Sequence, residues 1–212
     1  MRRTEAAGVA SALAGACLWG IVWLPLAALE RRGLAGLWTT FAVFGLVGLA
    51  ILPGLVRGLA RGTMEMPWRP ALVLLVFGGL TNFLFFLALT KTSVVRALLF
   101  FYLSPVWNLL AARIWGGIPL TGRKVGVVAL SLTGASVLLG LHHLALVRWS
   151  WGDTMALGSG LAFAASVVGL KGLPHAPAWS LAGLNWLGSA LLAAAGLALS
   201  QPPLPGPVGN WL

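Results

Sequence analysis

The largely apolar stretch at 91–115 contains a proline and, along its middle, the polar side chains of Arg96, Ser104 and Asn108. On a helix, Arg96, Ser104 and Asn108 fall within about 120° of one another and form one polar stripe. Hydroxyl and amide groups exchange hydrogen bonds with a solute, and a guanidinium attracts an anionic group. We therefore predict that these three residues line a binding cavity. Hydrogen bonds between neighbouring helices are the alternative for Ser104 and Asn108.

Pro105, in the same stretch, lacks the N–H that would bond to the carbonyl of Phe101. We expect a helix kink there, with the freed carbonyl facing a neighbouring group or a wet cavity. A packing kink without a ligand role is the alternative. Asn82 and Trp19 are further candidates for the same cavity, although aromatic packing explains Trp19 equally well.

Composition indicates where such a helix resides. The chain of 212 residues is 59% hydrophobic and 8% charged, whereas a soluble domain carries roughly a quarter charged residues. The formal net charge of +10 would suit a nucleic-acid-binding protein, but the cations are scattered singly and in pairs between apolar runs. The composition therefore indicates a polytopic membrane protein with basic loops, and excludes nucleic acid as a partner.

Seven apolar runs are long enough to cross a bilayer as helices. We predict spans at 8–29, 34–56, 70–90, 93–114, 125–141, 153–171 and 178–199. Loops rich in Gly, Pro and charged residues separate them, and a proline-rich tail follows the last. The sequence thus predicts an all-α membrane protein of about seven transmembrane helices.

The loop cations predict the orientation of these spans. Nine would lie on the side of the N-terminus: Arg2, Arg3, Arg57, Arg61, Arg69, Arg113, Arg123, Lys124 and Lys171. Five would lie on the other side: Arg31, Arg32, Lys91, Arg96 and Arg148. Because cytoplasmic loops carry the excess of Lys and Arg, we expect a cytoplasmic N-terminus.

Arg96 stands out in this topology. It lies about one turn inside span 4, on the side disfavoured for cations, and near a helix N-terminus whose dipole repels positive charge. A cation kept there suggests attraction of an anionic group. Snorkelling of the side chain to the outer headgroups is the alternative.

Residues for covalent chemistry or metal binding are scarce. The four acidic residues all lie near loops or span ends, and Cys17 is the only cysteine. A membrane-embedded enzyme would need a nucleophile, base or metal set at one membrane depth. We therefore expect no catalytic residue, no metal site and no cofactor.

Two spans open with similar sequences, LAGLWTTF from Leu34 and LAGLNWLG from Leu181. The same offset roughly superposes span 1 on span 6. The alternative is chance similarity, because leucine and small residues are common throughout the chain. A repeat of five spans would place its second copy in the opposite orientation, as in many secondary transporters.

Several segments resemble the EamA-type permeases of the drug/metabolite transporter superfamily. They are ACLWG in span 1, the stretch at 88–140 across spans 3 to 5, and WGDTMAL at the start of span 6. The resemblance implies two inverted five-helix repeats, a central substrate cavity and cytoplasmic termini. It assigns 1–145 to the first repeat and 146–212 to a partial second repeat of two helices and the proline-rich tail, without counterparts of helices 8 to 10.

The implied function is transport of small organic metabolites or drugs across the inner membrane by alternating access. An anionic or zwitterionic solute is expected if Arg96 contacts it. The alternatives are an incomplete permease that is inactive alone, with a homodimer or a separate C-terminal half completing the bundle, and a membrane-embedded enzyme.

Overall fold

The computed structural model describes residues 3–21, 23–31, 33–34, 36–114, 117, 119–138 and 148–202. The chain divides into two compact units, Met1–Ala35 with Leu204–Leu212, and Gly36–Pro203. The predicted repeat boundary near residue 146 and nearly all of the proline-rich tail lie outside the described residues. That division into repeats stays a prediction.

Among its described residues, the first unit contains two helices, α1 (Arg3–Ile21) and α2 (Trp23–Arg31). Together they cover predicted span 1. Large apolar side chains such as Leu13, Leu18 and Leu24 are exposed on them. An apolar exterior of this kind suits lipid contact.

The second unit contains eight further α-helices and one π-helical turn among the described residues. They are α3 (Leu37–Ala60), α4 (Trp68–Val73), the π turn (Leu74–Gly78), α5 (Gly79–Lys91), α6 (Val94–Phe101), α7 (Ser104–Ile114), α8 (Gly122–Leu138), α9 (Trp151–Lys171) and α10 (Ala178–Ser200). The segment α4–π–α5 is predicted span 3, and α6–α7 is predicted span 4.

Five segments of the described chain are long and apolar enough to cross a membrane. They are Leu37–Ala60, Trp68–Lys91, Val94–Ile114, Trp151–Lys171 and Ala178–Ser200. No strand occurs in the described ranges. The prediction of an all-α, multi-pass membrane protein is confirmed.

Helix α9 packs against α4, the π turn, α5, α6 and α7, while α10 packs against α3, the π turn and α5. The backbone of Gly152 lies against Thr92, and Gly169 lies against Leu74, so α9 and span 3 are antiparallel. The side chain of Arg96 reaches Asp153 and the ring of Phe101 reaches Phe163, so α6 and α9 run in the same direction. Span 6 is therefore embedded among spans of the first predicted repeat.

Spans 4 and 6 run parallel, and α8 is the helix described between them in the chain. Span 4 begins beside the start of α9 and ends at the opposite end of the bundle. Helix α8 has 17 residues and a length of about 26 Å. It corresponds to predicted span 5.

Close helix contacts depend on small residues in this bundle. Ala88, Ala97, Ala156 and Ala193 are completely buried. A Cβ on Gly188 of α10 would overlap the carbonyl oxygen of Leu75 in the π turn. Small residues allow membrane helices to approach backbone to backbone, which favours van der Waals contact where hydrophobic driving force is weak.

Candidate functional site

The first turn of α6 positions Arg96. Ser93 precedes the helix in an extended conformation, and its Oγ accepts a hydrogen bond from the Arg96 N–H at 3.3 Å. This N-cap satisfies one of the free N–H groups of the helix start. The Arg96 side chain turns into the bundle, and the residue is 7% exposed.

The first turn of α9 positions Asp153 in the same way. The Ser150 Oγ accepts from the Asp153 N–H at 3.2 Å, while the Asp153 Oδ2 accepts from the Ser150 N–H at 2.7 Å. These reciprocal bonds form a capping box. The Asp153 side chain is completely buried. Its carboxylate is thereby fixed at a helix N-terminus, where the helix dipole favours negative charge.

Arg96 and Asp153 form a bidentate ion pair. Arg96 Nε donates to Asp153 Oδ1 at 2.9 Å, and Arg96 Nη2 donates to Asp153 Oδ2. The Thr92 hydroxyl also donates to Oδ1, at 2.9 Å, and Arg96 Nη2 reaches the carbonyl of Arg148 at 3.3 Å. The carboxylate is therefore well satisfied. The Nη1 of Arg96 is buried without a hydrogen-bond partner in the described part of the chain.

The polar stripe predicted on span 4 is divided by a break in the helix. Helix α6 ends at Phe101 and α7 begins at Ser104, so the break precedes Pro105. Pro105 is then the second residue of α7, where its missing N–H costs little. Ser104 is buried and Asn108 is half-buried.

Helix α9 lies against this break. A Cβ on Gly160 would lie 3.2 Å from the Phe101 carbonyl oxygen and 3.6 Å from the Ser104 nitrogen. Arg96 and Ser104 thus belong to segments that both pack on α9. No contact between these two side chains is seen in the described residues.

Asn82 belongs to a separate polar group, which we call the amide cluster and which consists of Asn82, Asn185 and Ser189. Asn82 Nδ2 donates to Ser189 Oγ at 3.2 Å. Ser189 Oγ lies 2.8 Å from the backbone carbonyl of Asn185 and 3.2 Å from that of Gly79. Asn82 precedes Lys91 by nine residues, or about 13 Å along the helix. The amide cluster is therefore deeper in the bundle than the ion pair.

The remaining candidate, Trp19, lies in α1, but its side chain is outside the described residues. The structure adds two side chains that the sequence reasoning did not single out, Asp153 and Asn185. The motif Ser150-Trp-Gly-Asp153, a capping box before an apolar run, is a sequence signal that could have identified the first. The second is an amide within an apolar span, which is a weaker signal.

Arg96, Asp153, Asn82 and Asn185 can exchange hydrogen bonds and balance charge, but they do not form a nucleophile–base pair. Groups of three or more His, Cys, Asp or Glu side chains that could hold a metal ion are absent from the described residues. This arrangement suits reversible binding of a solute or of a neighbouring helix.

Residues 6–140 match the model of the EamA-like transporter family. No curated protein matches the chain. A crystal structure of another protein is 24% identical to this chain, with a TM-score of 0.62; the alignment covers 92% of this chain and 68% of the other. This likeness concerns the fold alone.

Proposed function

Because the chain belongs to the EamA-like transporter family, we propose that it carries small organic metabolites or drugs across the inner membrane by alternating access. Membership in this family supports a membrane transporter of the drug/metabolite type, since the members of the family are transporters and not enzymes. The class of solute, the location in the inner membrane and the alternating-access mechanism are our inferences. The supporting observation is that two neighbouring spans are interrupted inside the bundle.

The first interruption is the π turn Leu74–Gly78, and the second is the break between Phe101 and Ser104. In secondary transporters, discontinuous helices form substrate sites near the middle of the bilayer, because unwound backbone groups there face a cavity. Rare π turns within α-helices also occur often at functional sites. Both interruptions here pack against α9.

The solute site in this proposal combines residues near the two interruptions. Asn82 follows the π turn by one helical turn, while Ser104 and Asn108 follow the break in span 4. Each offers hydrogen bonds within an apolar bundle, as solute recognition requires. Trp19 stays a candidate from the sequence alone.

The proposed role of Arg96 in binding an anionic or zwitterionic solute meets a competing contact. Asp153 already provides the negative charge that this guanidinium needs. A solute carboxylate would have to reach the buried Nη1 or replace Asp153. The ion pair as a link between span 4 and span 6 is therefore the simpler role for Arg96.

The cytoplasmic N-terminus is supported by the distribution of loop cations. In this orientation the Arg96–Asp153 pair lies at the outer end of the bundle. We further propose that a second copy of the chain or a separate polypeptide completes the cavity. The exposed side chains along α8, including Val125, Leu130 and Val137, leave a helix face open to such a partner.

Reconstitution of the 212-residue chain in liposomes tests the proposal. We expect saturable uptake of at least one member of a metabolite panel, and faster uptake when the unlabelled solute is preloaded inside, since alternating access exchanges solutes across the bilayer. Empty liposomes serve as the control. Uptake that rises linearly with concentration and ignores preloading would argue against a carrier. Robust flux from a monomer would refute the need for a partner.

A further inference from the structure

We propose that Asn82 and Asn185 together form a binding site for an uncharged, hydrogen-bonding solute. The inference rests on the proposed transport function and defines its substrate class. It adds Asn185 to the site and predicts that charged solutes are not held there.

The two asparagines lie diagonally across a parallel helix pair. The Asn185 amide packs over Gly78, and Asn82, one turn after Gly78, bonds to Ser189, one turn after Asn185. One helical turn is about 5.4 Å, so the asparagine levels differ by roughly that distance. The Ser189 hydroxyl accepts from Asn82 Nδ2 and lies within hydrogen-bond distance of the backbone carbonyl of Asn185, one turn earlier in α10. The spacing suits a small solute that touches both amides.

Much of the hydrogen-bonding capacity of these amides is unused. Within the described residues, the Asn185 side chain makes no hydrogen bond, and Asn82 uses one N–H. A carboxamide offers two N–H donors and an acceptor oxygen. Both residues are half-buried, so part of each remains accessible. By contrast, the hydroxyls of Ser159 and Ser189 are completely buried between helices and have partners.

Asparagine side chains without hydrogen-bond partners are unfavourable this deep in the bundle. Asn185 lies seven residues inside α10, or roughly 10 Å from its start. An amide at this depth costs free energy unless water or a solute reaches its free hydrogen-bonding groups. Ser189 and the glycines beside it would be sufficient for packing between α5 and α10. The amides are therefore explained better by a solute or by water that a solute displaces.

The backbone around Asn185 is shaped to accommodate it. A Cβ on Gly78 would overlap Asn185 Oδ1, so any larger residue at 78 would displace the amide. Gly78 is also the last residue of the π turn. The interruption of span 3 and the place of the amide thus coincide.

The charge balance predicts the class of solute. Among the described residues, Arg96 and Asp153 are the buried charged side chains, and they neutralise each other. The amide cluster contains amide and hydroxyl groups alone. An ion bound between Asn82 and Asn185 would lack a countercharge in a medium of low dielectric constant. A neutral group with both donors and acceptors, such as an amide or a polyol, matches these asparagines.

The test measures binding and flux separately. Purified full-length protein in detergent is titrated with uridine, glucose, citrate and choline, and the shift in Tm reports binding. Counterflow in liposomes reports flux. The variants are Asn185→Leu, which keeps the branching and approximate size of the side chain, and Asn82→Leu. Ser159→Ala is the matched control, since it removes a buried hydrogen bond between α5 and α9 without touching the amides.

We expect uridine or glucose to stabilise the wild type, and Asn185→Leu and Asn82→Leu each to weaken that affinity at least about tenfold. Ser159→Ala should retain the affinity even if its Tm is lower. Binding of citrate or choline alone, equal affinity in all variants, or no response to any of the four would overturn the inference. Loss of neutral-solute binding in the two variants without counterflow in the wild type would sustain the site and refute transport.

Discussion

The guanidinium of Arg96 and the carboxylate of Asp153 join the first turn of α6 to the first turn of α9 through a buried bidentate ion pair. Both residues occupy capped helix starts, and both helices run in the same direction from this point. The carboxylate sits where a helix dipole favours it, while the cation sits where its own helix dipole does not. Pairing across the two helices resolves the unfavourable position of Arg96.

The first prediction concerns this pair. Asp153→Leu or Arg96→Met leaves one buried charge unpaired, and we expect either to lower the free energy of unfolding by roughly 3–5 kcal/mol. Arg96→Met with Asp153→Leu should recover most of the loss, because neither charge then remains. Thermal unfolding in detergent measures the double-mutant cycle. Losses that simply add in the double variant would contradict a direct interaction.

A second prediction separates the structural role of Arg96 from solute binding. If Arg96 binds an anionic solute, Arg96→Ala raises KM for anions alone and leaves insertion intact. If the ion pair is structural, Arg96→Ala and Asp153→Asn lower flux of every solute together. We expect the second result, since Asp153 already occupies the guanidinium. Solute-specific KM values in liposomes, corrected for the amount of folded protein, decide between them.

Asn108 provides a third test of the span 4 site. Asn108→Ala should raise the apparent KM several-fold with little change in maximal flux, because it removes a binding contact with the solute and not a catalytic group. Ser131→Ala in α8 is the control, since that hydroxyl is exposed and bonds within its own helix. An unchanged KM together with a lower Tm would place Asn108 in helix packing and not in the site.

Orientation gives a fourth prediction. In a Cys17→Ser background, a membrane-impermeant thiol reagent added to intact cells should label Arg148→Cys but not Lys171→Cys. These residues flank α9, so they lie at opposite ends of one span. Permeabilised cells, where both positions should react, provide the control. Labelling of Lys171→Cys from outside would reverse the orientation.

The last prediction concerns helix approach at the π turn. Gly188→Ala places a methyl group on the Leu75 carbonyl, and the backbone there cannot move aside as a side chain can. We expect a loss of about 1–3 kcal/mol or more from overpacking. Gly134→Ala, with open space around it, should be nearly neutral. Equal Tm values for the two variants would mean that α10 does not approach span 3 so closely.

Five of the seven predicted spans and the family could be read from the sequence. Predicted spans 153–171 and 178–199 became α9 (Trp151–Lys171) and α10 (Ala178–Ser200), and the family match agrees with the resemblance. Such prediction succeeds because the length of an apolar run is a local property of the sequence. A helix must be long enough to cross a hydrocarbon core about 30 Å thick. The anomaly of Arg96 was likewise visible from its position in the run.

The hydrogen-bond partners of Arg96 and Asn82 became visible in the tertiary structure alone. Asp153 lies 57 residues from Arg96, and Ser189 lies 107 residues from Asn82. Each pairing depends on which helices are neighbours and how each is rotated. Backbone contacts at small residues such as Gly188 set these relations, and composition does not encode them. Span 4 was expected to be one helix, but the break before Ser104 divides it into α6 and α7. The predicted polar stripe assumed the periodicity of a single helix and is therefore divided as well.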